Sequence, residues 1–134
     1  MHITLESDYA VRIVACLASE GKRLDAKSIA EKTCVTLRFS LKILRKLVCA
    51  EIVKSFKGTF GGYELAKKPE EITLKDVIEA VEGTYMLSRC LDDDYTCNRG
   101  ASGRCPYQNA FRDISKTVDK KLSEYNFKMF IDKK

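Results

Sequence analysis

The sequence has little of what most enzymes and membrane proteins need. Its 134 residues include a single histidine, His2, and two prolines. It has no glycine-rich phosphate-binding loop and no serine, histidine and aspartate set, so nothing in it indicates catalysis. No apolar run approaches the roughly 20 residues that span a bilayer. Because Glu6 and Asp8 stand where a signal peptide would be basic, we expect a cytoplasmic protein with no membrane partner.

The excess of positive charge lies entirely in the first half of the chain. The net charge is +5. Residues 1–70 hold 13 lysines and arginines against 8 acidic residues, whereas residues 71–134 hold 11 of each. The first half is therefore the expected surface for a polyanion, of which nucleic acid is the commonest.

Apolar periodicity and turn residues predict three helices and a hairpin in this half. The expected elements are a helix over 8–20, a second helix that starts at Asp25 and is followed by a turn around 33–35, a third helix over 36–49, and strands over 52–56 and 63–65. A short helix, a tight turn, a basic helix and a basic hairpin are together the parts of a winged helix-turn-helix. The predicted fold class is therefore mainly α with a small β-hairpin.

The third predicted helix carries its cations on one side. At 100° per residue, four of them fall within a sector of roughly 100°, and two further lysines lie on the hairpin. The candidate DNA-binding residues are Arg38, Lys42, Arg45 and Lys46 on the helix and Lys54 and Lys57 on the hairpin. Thr36, at the helix start, adds a hydroxyl that tolerates several bases. The alternative is a solvated basic face on a core helix.

The second half is predicted to begin with a helix capped by Thr73 and to end with a long one. Pro106 suits a first helical position, and the chain can then stay helical to about Met129, roughly 35 Å. One side carries an apolar stripe, consisting of Tyr107, Phe111, Ile114, Val118, Leu122, Tyr125 and Met129. A second copy of the chain would bury this stripe most simply, and folding back onto the same domain is the alternative.

Three of the six cysteines, Cys90, Cys97 and Cys105, lie in a polar stretch dotted with glycine. Cysteine usually behaves as a small buried apolar residue, so thiols grouped on a polar loop suggest a shared metal ion or iron–sulfur cluster. The expected organisation is a DNA-binding domain over 1–83, a cysteine loop over 84–105 and a dimerisation helix and tail over 106–134. The other cysteines, predicted to be core or near-core, are Cys16, Cys34 and Cys49.

Several of these segments resemble one bacterial family. LRKLV in the third helix, GTFGGYELAKKPEEITLKDVIEAVEG after it and three cysteines before a C-terminal helix resemble the IscR/NsrR/RirA winged-helix regulators. The resemblance implies a homodimer, expected to be a repressor, that binds a roughly palindromic operator in double-stranded DNA. It also implies an iron–sulfur cluster on the loop cysteines, which senses nitric oxide, redox state or iron–sulfur status. Carried over by position, it places Arg38, Ser40, Lys42 and Lys57 at or near DNA.

The resemblance leaves the fourth cluster ligand open. Where IscR-type proteins have a ligating histidine, this chain has Gln108, which is a poor iron ligand. In the NsrR type an aspartate early in the first helix reaches across the dimer, and Asp8 has the matching position. We therefore favour [4Fe–4S] over [2Fe–2S], although Asp8 also suits the first turn of any helix.

Two other hypotheses stay open. In the first, the chain is a cluster-free member of the same family, in which the loop thiols form a redox switch or a structural zinc site. In the second, which belongs to a different functional class, the chain is a protein-interaction adaptor that does not bind DNA.

Overall fold

Threonine and aspartate side chains begin the first four helices of the computed structural model, which describes residues 2–131. Thr4, Asp25, Thr36 and Thr73 each accept a backbone N–H from the first turn, which satisfies a donor that the helix leaves free. These helices are α1 (Leu5–Glu20), α2 (Ala26–Thr33), α3 (Leu37–Cys49) and α4 (Leu74–Glu82). The predicted starts at Asp25, Thr36 and Thr73 are confirmed, whereas α1 begins earlier than predicted.

A tight turn joins α2 to α3. Cys34 ends α2 in the left-handed conformation, with φ of 59°, and its N–H donates to the carbonyl of Ala30. Val35 is buried in the turn, and Thr36 begins α3 directly afterwards. The helix-turn-helix that the sequence predicts is therefore present.

An antiparallel hairpin follows α3. Its strands are β1 (Val53–Phe56) and β2 (Gly62–Leu65), paired so that Val53 lies opposite Leu65 and Phe56 opposite Gly62. Leu24, between α1 and α2, exchanges two backbone hydrogen bonds of 2.9 and 2.7 Å with Tyr63. A Cβ on Gly62 would lie 2.5 Å from the Leu24 carbonyl oxygen, so this close pairing requires glycine. The hairpin is thereby attached to the helical domain, which confirms the predicted wing.

The core lies between α1 and the helices around it. α1 packs against α2, α3 and α4, and α3 also packs against α4. The apolar sides of these helices meet there, and their fully buried side chains include Ile13, Val14, Leu17, Ile29, Ile43, Leu44, Leu47 and Val77.

The C-terminal helix is shorter than the sequence predicts. α5 (Pro106–Ser123) ends well before Met129, and a separate turn of helix, α6 (Lys128–Ile131), follows it. The prediction of one helix to Met129 is therefore wrong. Between the two helices Phe127 enters the core with 2% of its surface exposed, and its N–H donates to the carbonyls of Pro69 and Ile72. Burial of this ring is incompatible with a straight continuation of α5.

The apolar stripe of α5 is only partly covered by its own domain. α5 packs against α4, which half-buries Phe111, Val118 and Leu122. Tyr107 remains 64% exposed and Ile114 is also exposed. Folding back therefore buries one part of the stripe and leaves another in water.

The predicted division at residues 83 and 105 remains a prediction, although Gly83 does end α4 and Pro106 does begin α5. Met1 and residues 132–134, which belong to the predicted first and last segments, lie outside the described residues. None of the helices within residues 2–131 has the length and apolar content that a membrane crossing needs.

Replacing Phe127 with Ala should lower the free energy of unfolding by about 3–5 kcal/mol, because the change leaves a ring-sized cavity in the core. The matched control is Phe130→Ala, whose ring is 41% exposed and stacks on Tyr125; it should cost about 1 kcal/mol or less. Urea unfolding followed by circular dichroism measures both values. Equal losses in the two variants would contradict the proposed anchoring role of Phe127.

Candidate functional site

The outward side of α3 presents cations to solvent. Arg38, Lys42 and Arg45 are exposed, and together with Thr36 they line one shallow groove along the helix. Within residues 2–131, no carboxylate oxygen lies within 4.0 Å of these three cations. Their charge is therefore available to an external anion.

Two exposed apolar side chains interrupt these cations. Leu37 and Leu41 are 46% and 40% exposed on the same groove. Apolar side chains in this setting can contact the methyl group of thymine in the major groove. The groove thus presents cations that can pair with phosphates and apolar side chains that can contact base edges.

Ser40 does not belong to this surface. It has no solvent exposure, and its hydroxyl has no hydrogen-bond partner within the described residues. Ser40, which the resemblance places at or near DNA, is therefore not on the exposed groove, because it lies on the side of α3 that faces the core.

Lys46 also points away from the groove. Its ammonium nitrogen lies 2.7 Å from a carboxylate oxygen of Glu6 on α1 and 3.4 Å from the carbonyl oxygen of Val81 near the end of α4. Lys46 stands at the edge of the cationic sector, where the neighbouring helices capture it. Lys46, predicted among the DNA-binding residues, is therefore not one of the free cations of the groove, and it joins three helices.

The hairpin contributes two further exposed cations, Lys54 and Lys57. Its loop is held by Arg23, which the sequence analysis missed. The Arg23 guanidinium carbon lies 3.3 Å from the centre of the Phe56 ring, and one of its nitrogens donates to the Phe60 carbonyl at 3.0 Å. No local pattern could reveal this contact, since it joins residues that are far apart in the sequence.

The three loop cysteines line one cavity of about 170 Å³. Cys90 lies in a 3₁₀ turn (Arg89–Leu91), and Cys105 directly precedes α5. Within the described chain, no three cysteine, histidine or acidic side chains lie close enough to hold a metal ion as they stand. The fold therefore brings the thiols into one cavity without forming a closed ligand set.

Gln108, in the first turns of α5, holds the two ends of this loop together. Its amide nitrogen donates to the Cys90 carbonyl at 2.7 Å, and its amide oxygen accepts the Gly103 N–H at 3.1 Å. From the sequence, Gln108 is notable only as a poor iron ligand. The structure gives it a different role, in which it fixes Cys90 beside the segment that carries Cys105.

Positive and dipolar groups around the cavity favour thiolates. The backbone N–H groups of Ala101 and Arg99 lower the pKa of the Cys97 thiol, and the Arg99 guanidinium lowers it further. The same guanidinium lies 3.6 Å from the Cys105 sulfur. Because metal ions and clusters bind thiolates rather than thiols, this environment fits such a group.

Asp8 is not in the cysteine cavity of its own chain, as far as the described residues define it. It lies in the first turn of α1, where its carboxylate forms an ion pair of 3.0 Å with Arg12. Ligation by Asp8 would therefore require release from Arg12 and a cavity supplied by a second copy.

Of the remaining cysteines, Cys16 packs against the core as predicted, and the other two do not. Cys34 and Cys49 are exposed, so their assignment to the core is wrong; each stands at the end of a helix, where the backbone turns outward. Cys16 is half-buried. Burial, followed by the charge of Glu20, raises the pKa of its thiol.

Comparison with known proteins gives consistent results. Residues 3–133 match the family described as Rrf2, iron-dependent transcriptional regulator. Protein aau3 of Rhizobium meliloti is 33% identical over 93 residues, which cover 69% of this chain and 60% of that protein. The HTH-type transcriptional regulator IscR of Aliivibrio salmonicida is 32% identical over 121 residues, covering 88% and 70%. The structure of CymR, the global cysteine regulator of B. subtilis, has the same fold, with a TM-score of 0.76 at 24% identity over 100% of this chain and 98% of that one.

Alkylation should distinguish Cys97 from Cys16. Thiolate is the reacting form, so a lowered pKa moves the rise in rate to lower pH and a raised pKa moves it to higher pH. With iodoacetamide, Cys97 should react at a lower pH than an unstructured cysteine, and Cys16 at a higher one. Peptide mapping by mass spectrometry across a pH series, on chelator-treated protein, measures both. The same midpoint for the two cysteines would contradict the assignment.

Proposed function

This chain belongs to the Rrf2 family of DNA-binding transcription regulators, and we propose that it is a repressor controlled by an iron–sulfur cluster. The relatives that carry functional names are transcriptional regulators and not enzymes, and the same holds for this chain. The observation that carries the proposal is that Cys90, Cys97 and Cys105 line one cavity. Cys105 directly precedes α5. The sensed signal is nitric oxide, redox state or iron–sulfur status.

In this proposal α3 reads the operator. The exposed side of α3 enters the major groove of the DNA, where Arg38, Lys42 and Arg45 contact phosphates and base edges. Thr36, at the N-terminus of α3, donates its hydroxyl to a phosphate or a base. The hairpin lies alongside, with Lys54 and Lys57 on the phosphates that flank the adjacent minor groove.

A second copy of the chain supplies a second DNA-binding domain. The part of the α5 stripe that α4 leaves uncovered, including Tyr107 and Ile114, supports pairing of two α5 helices. Two DNA-binding domains related by a twofold axis would bind a roughly palindromic operator in double-stranded DNA. By analogy with NsrR-type proteins, Asp8 of one chain would reach the other chain's cysteine cavity in this arrangement.

The three cysteines would hold the cluster as thiolates. The state of the cluster would change on exposure to oxidant or nitric oxide. We favour [4Fe–4S] over [2Fe–2S]. Gln108 already engages its amide with Cys90 and Gly103, which supports an orienting role and not that of fourth ligand. The fourth donor is then Asp8 of the second copy, freed from Arg12.

Changes in the loop can reach the DNA-binding helices through α5. Cys105 is the N-cap of α5, and the α5 hydroxyl of Ser115 accepts the N–H of Leu87 at 2.9 Å. A displaced loop would therefore move α5 and the segment after α4 together. The resulting change in the angle between the two DNA-binding domains regulates transcription only if it alters DNA affinity.

The alternative is a cluster-free regulator, in which the loop thiols form a redox switch or a zinc site. Two observations favour it. The lowered pKa of Cys97 increases the thiolate fraction at a given pH, and thiolate is the form that oxidises. In the described part of the chain the thiols do not form a closed ligand set. Zinc would still need a fourth donor.

Replacing Lys42 and Arg45 together with Ala should weaken DNA binding and reduce the slope of log affinity against log salt by about 2, since two phosphate contacts are lost. Lys46→Met is the matched control. It should keep DNA affinity while lowering the free energy of unfolding by about 1 kcal/mol, because it breaks the pair with Glu6. Fluorescence anisotropy with a labelled duplex over a salt series tests both variants. Equal affinity of the wild type and the double variant would exclude this use of α3.

Protein purified without oxygen should be brown and contain iron and acid-labile sulfide, and Cys97→Ala should lose most of both. Plasma emission spectrometry and sulfide analysis measure these contents. Asp8→Ala is the informative companion, since it should make the cluster more labile without abolishing its assembly. A colourless protein that contains zinc or no metal under these conditions would support the cluster-free alternative.

A further inference from the structure

Phe60 is the most exposed large apolar residue within residues 2–131. Its side chain is 86% exposed at the tip of the hairpin, in a turn closed by a 3.0 Å hydrogen bond from the Gly61 N–H to the Gly58 carbonyl. Thr59 and Phe60 are the two central residues of that turn. Turns favour glycine, proline, asparagine, aspartate and serine at such positions. Neither burial nor turn formation therefore accounts for an aromatic ring here.

The backbone beneath this ring is held firmly. The Arg23 guanidinium donates to the Phe60 carbonyl at 3.0 Å while it covers the Phe56 ring. A Cβ on Gly61 would lie 2.6 Å from the Phe56 carbonyl oxygen, so the chain at the tip is packed closely on itself. A ring presented on an ordered turn loses little conformational entropy when it binds.

The charges near the ring indicate its partner. Lys54 and Lys57, on the same hairpin, are exposed, whereas the nearby Glu64 lies 3.8 Å from Arg23. An apolar ring among free cations suits a polyanion with an apolar interior, which describes a nucleic-acid duplex with its stacked bases between phosphates. A lipid surface or a protein groove would need a wider apolar patch than one ring.

We propose that Phe60 is a wedge that enters the minor groove next to the α3 site and partly unstacks one base step. The inference rests on the proposed DNA binding and deepens it. Pyrimidine–purine steps unstack most easily, so the ring would favour operators that carry TA or CA/TG beneath the wing. Phe60 would thus determine specificity through DNA deformability, with no hydrogen bond to a base.

The test uses the full-length protein and a duplex selected from a randomised pool by the wild type. Phe60→Ala should bind this duplex about tenfold more weakly, with an unchanged salt slope, because the ring carries no charge. Lys57→Ala should instead reduce the slope by about 1. Thr59→Ala, the neighbouring position in the same turn, is the matched control and should keep wild-type affinity. Circular dichroism melting verifies that each variant folds.

A duplex with 2-aminopurine placed in turn at each step beneath the wing reports unstacking as a rise in fluorescence. Wild type, Thr59→Ala and Phe60→Leu, which keeps an apolar wedge, should all give the rise at one pyrimidine–purine step, and Phe60→Ala should not. Equal affinity and equal fluorescence for wild type and Phe60→Ala would overturn the wedge and leave the DNA-binding proposal intact. Failure of the wild type to bind any duplex would overturn both.

Discussion

The burial of Ile43, Leu44 and Leu47 is the constraint on which the rest of the arrangement depends. These side chains have no solvent exposure and lie on the side of α3 that packs against α1 and α4. Because a helix repeats every 3.6 residues, burying this side leaves the cations of the opposite side in water. Rotating α3 would bury unpaired guanidinium and ammonium groups, which is prohibitively unfavourable. The same packing that stabilises the domain therefore orients its basic groove.

The C-terminal segment connects the cysteine cavity to this domain. α5 begins directly after Cys105 and ends shortly before Phe127, which is buried in the shared core. The hydrogen bond between Leu87 and Ser115 joins α5 to the segment after α4, and the contact of Lys46 with the Val81 carbonyl joins α3 to α4. These contacts form a continuous path through which a change at the loop can reach α3.

Local signals explain which parts of the fold could be predicted. The starts at Asp25, Thr36 and Thr73 depend on side-chain caps and follow from a few neighbouring residues. Apolar periodicity likewise predicts the helices and the hairpin. The polar sequence around Cys90, Cys97 and Cys105 predicts a shared ligand, and the three residues line one cavity. The helical pattern is insufficient where the partner is distant in sequence: Glu6 of α1 captures Lys46, which α3 alone does not reveal. Ser40 is buried on the side that Ile43, Leu44 and Leu47 share, which the 3.6-residue repeat does indicate.

Composition, caps and periodicity by themselves determined the winged helix-turn-helix, the cationic first half and the polar cysteine loop, because each depends on residues close together in the chain. Tertiary structure alone decided which cations remain free, where α5 ends and how the wing tip is held. Those outcomes depend on contacts between distant segments, such as Arg23 with Phe60 and Phe127 with Ile72. The sequence pattern indicates which side of a helix is apolar, but only the packed structure determines which distant segment contacts that helix.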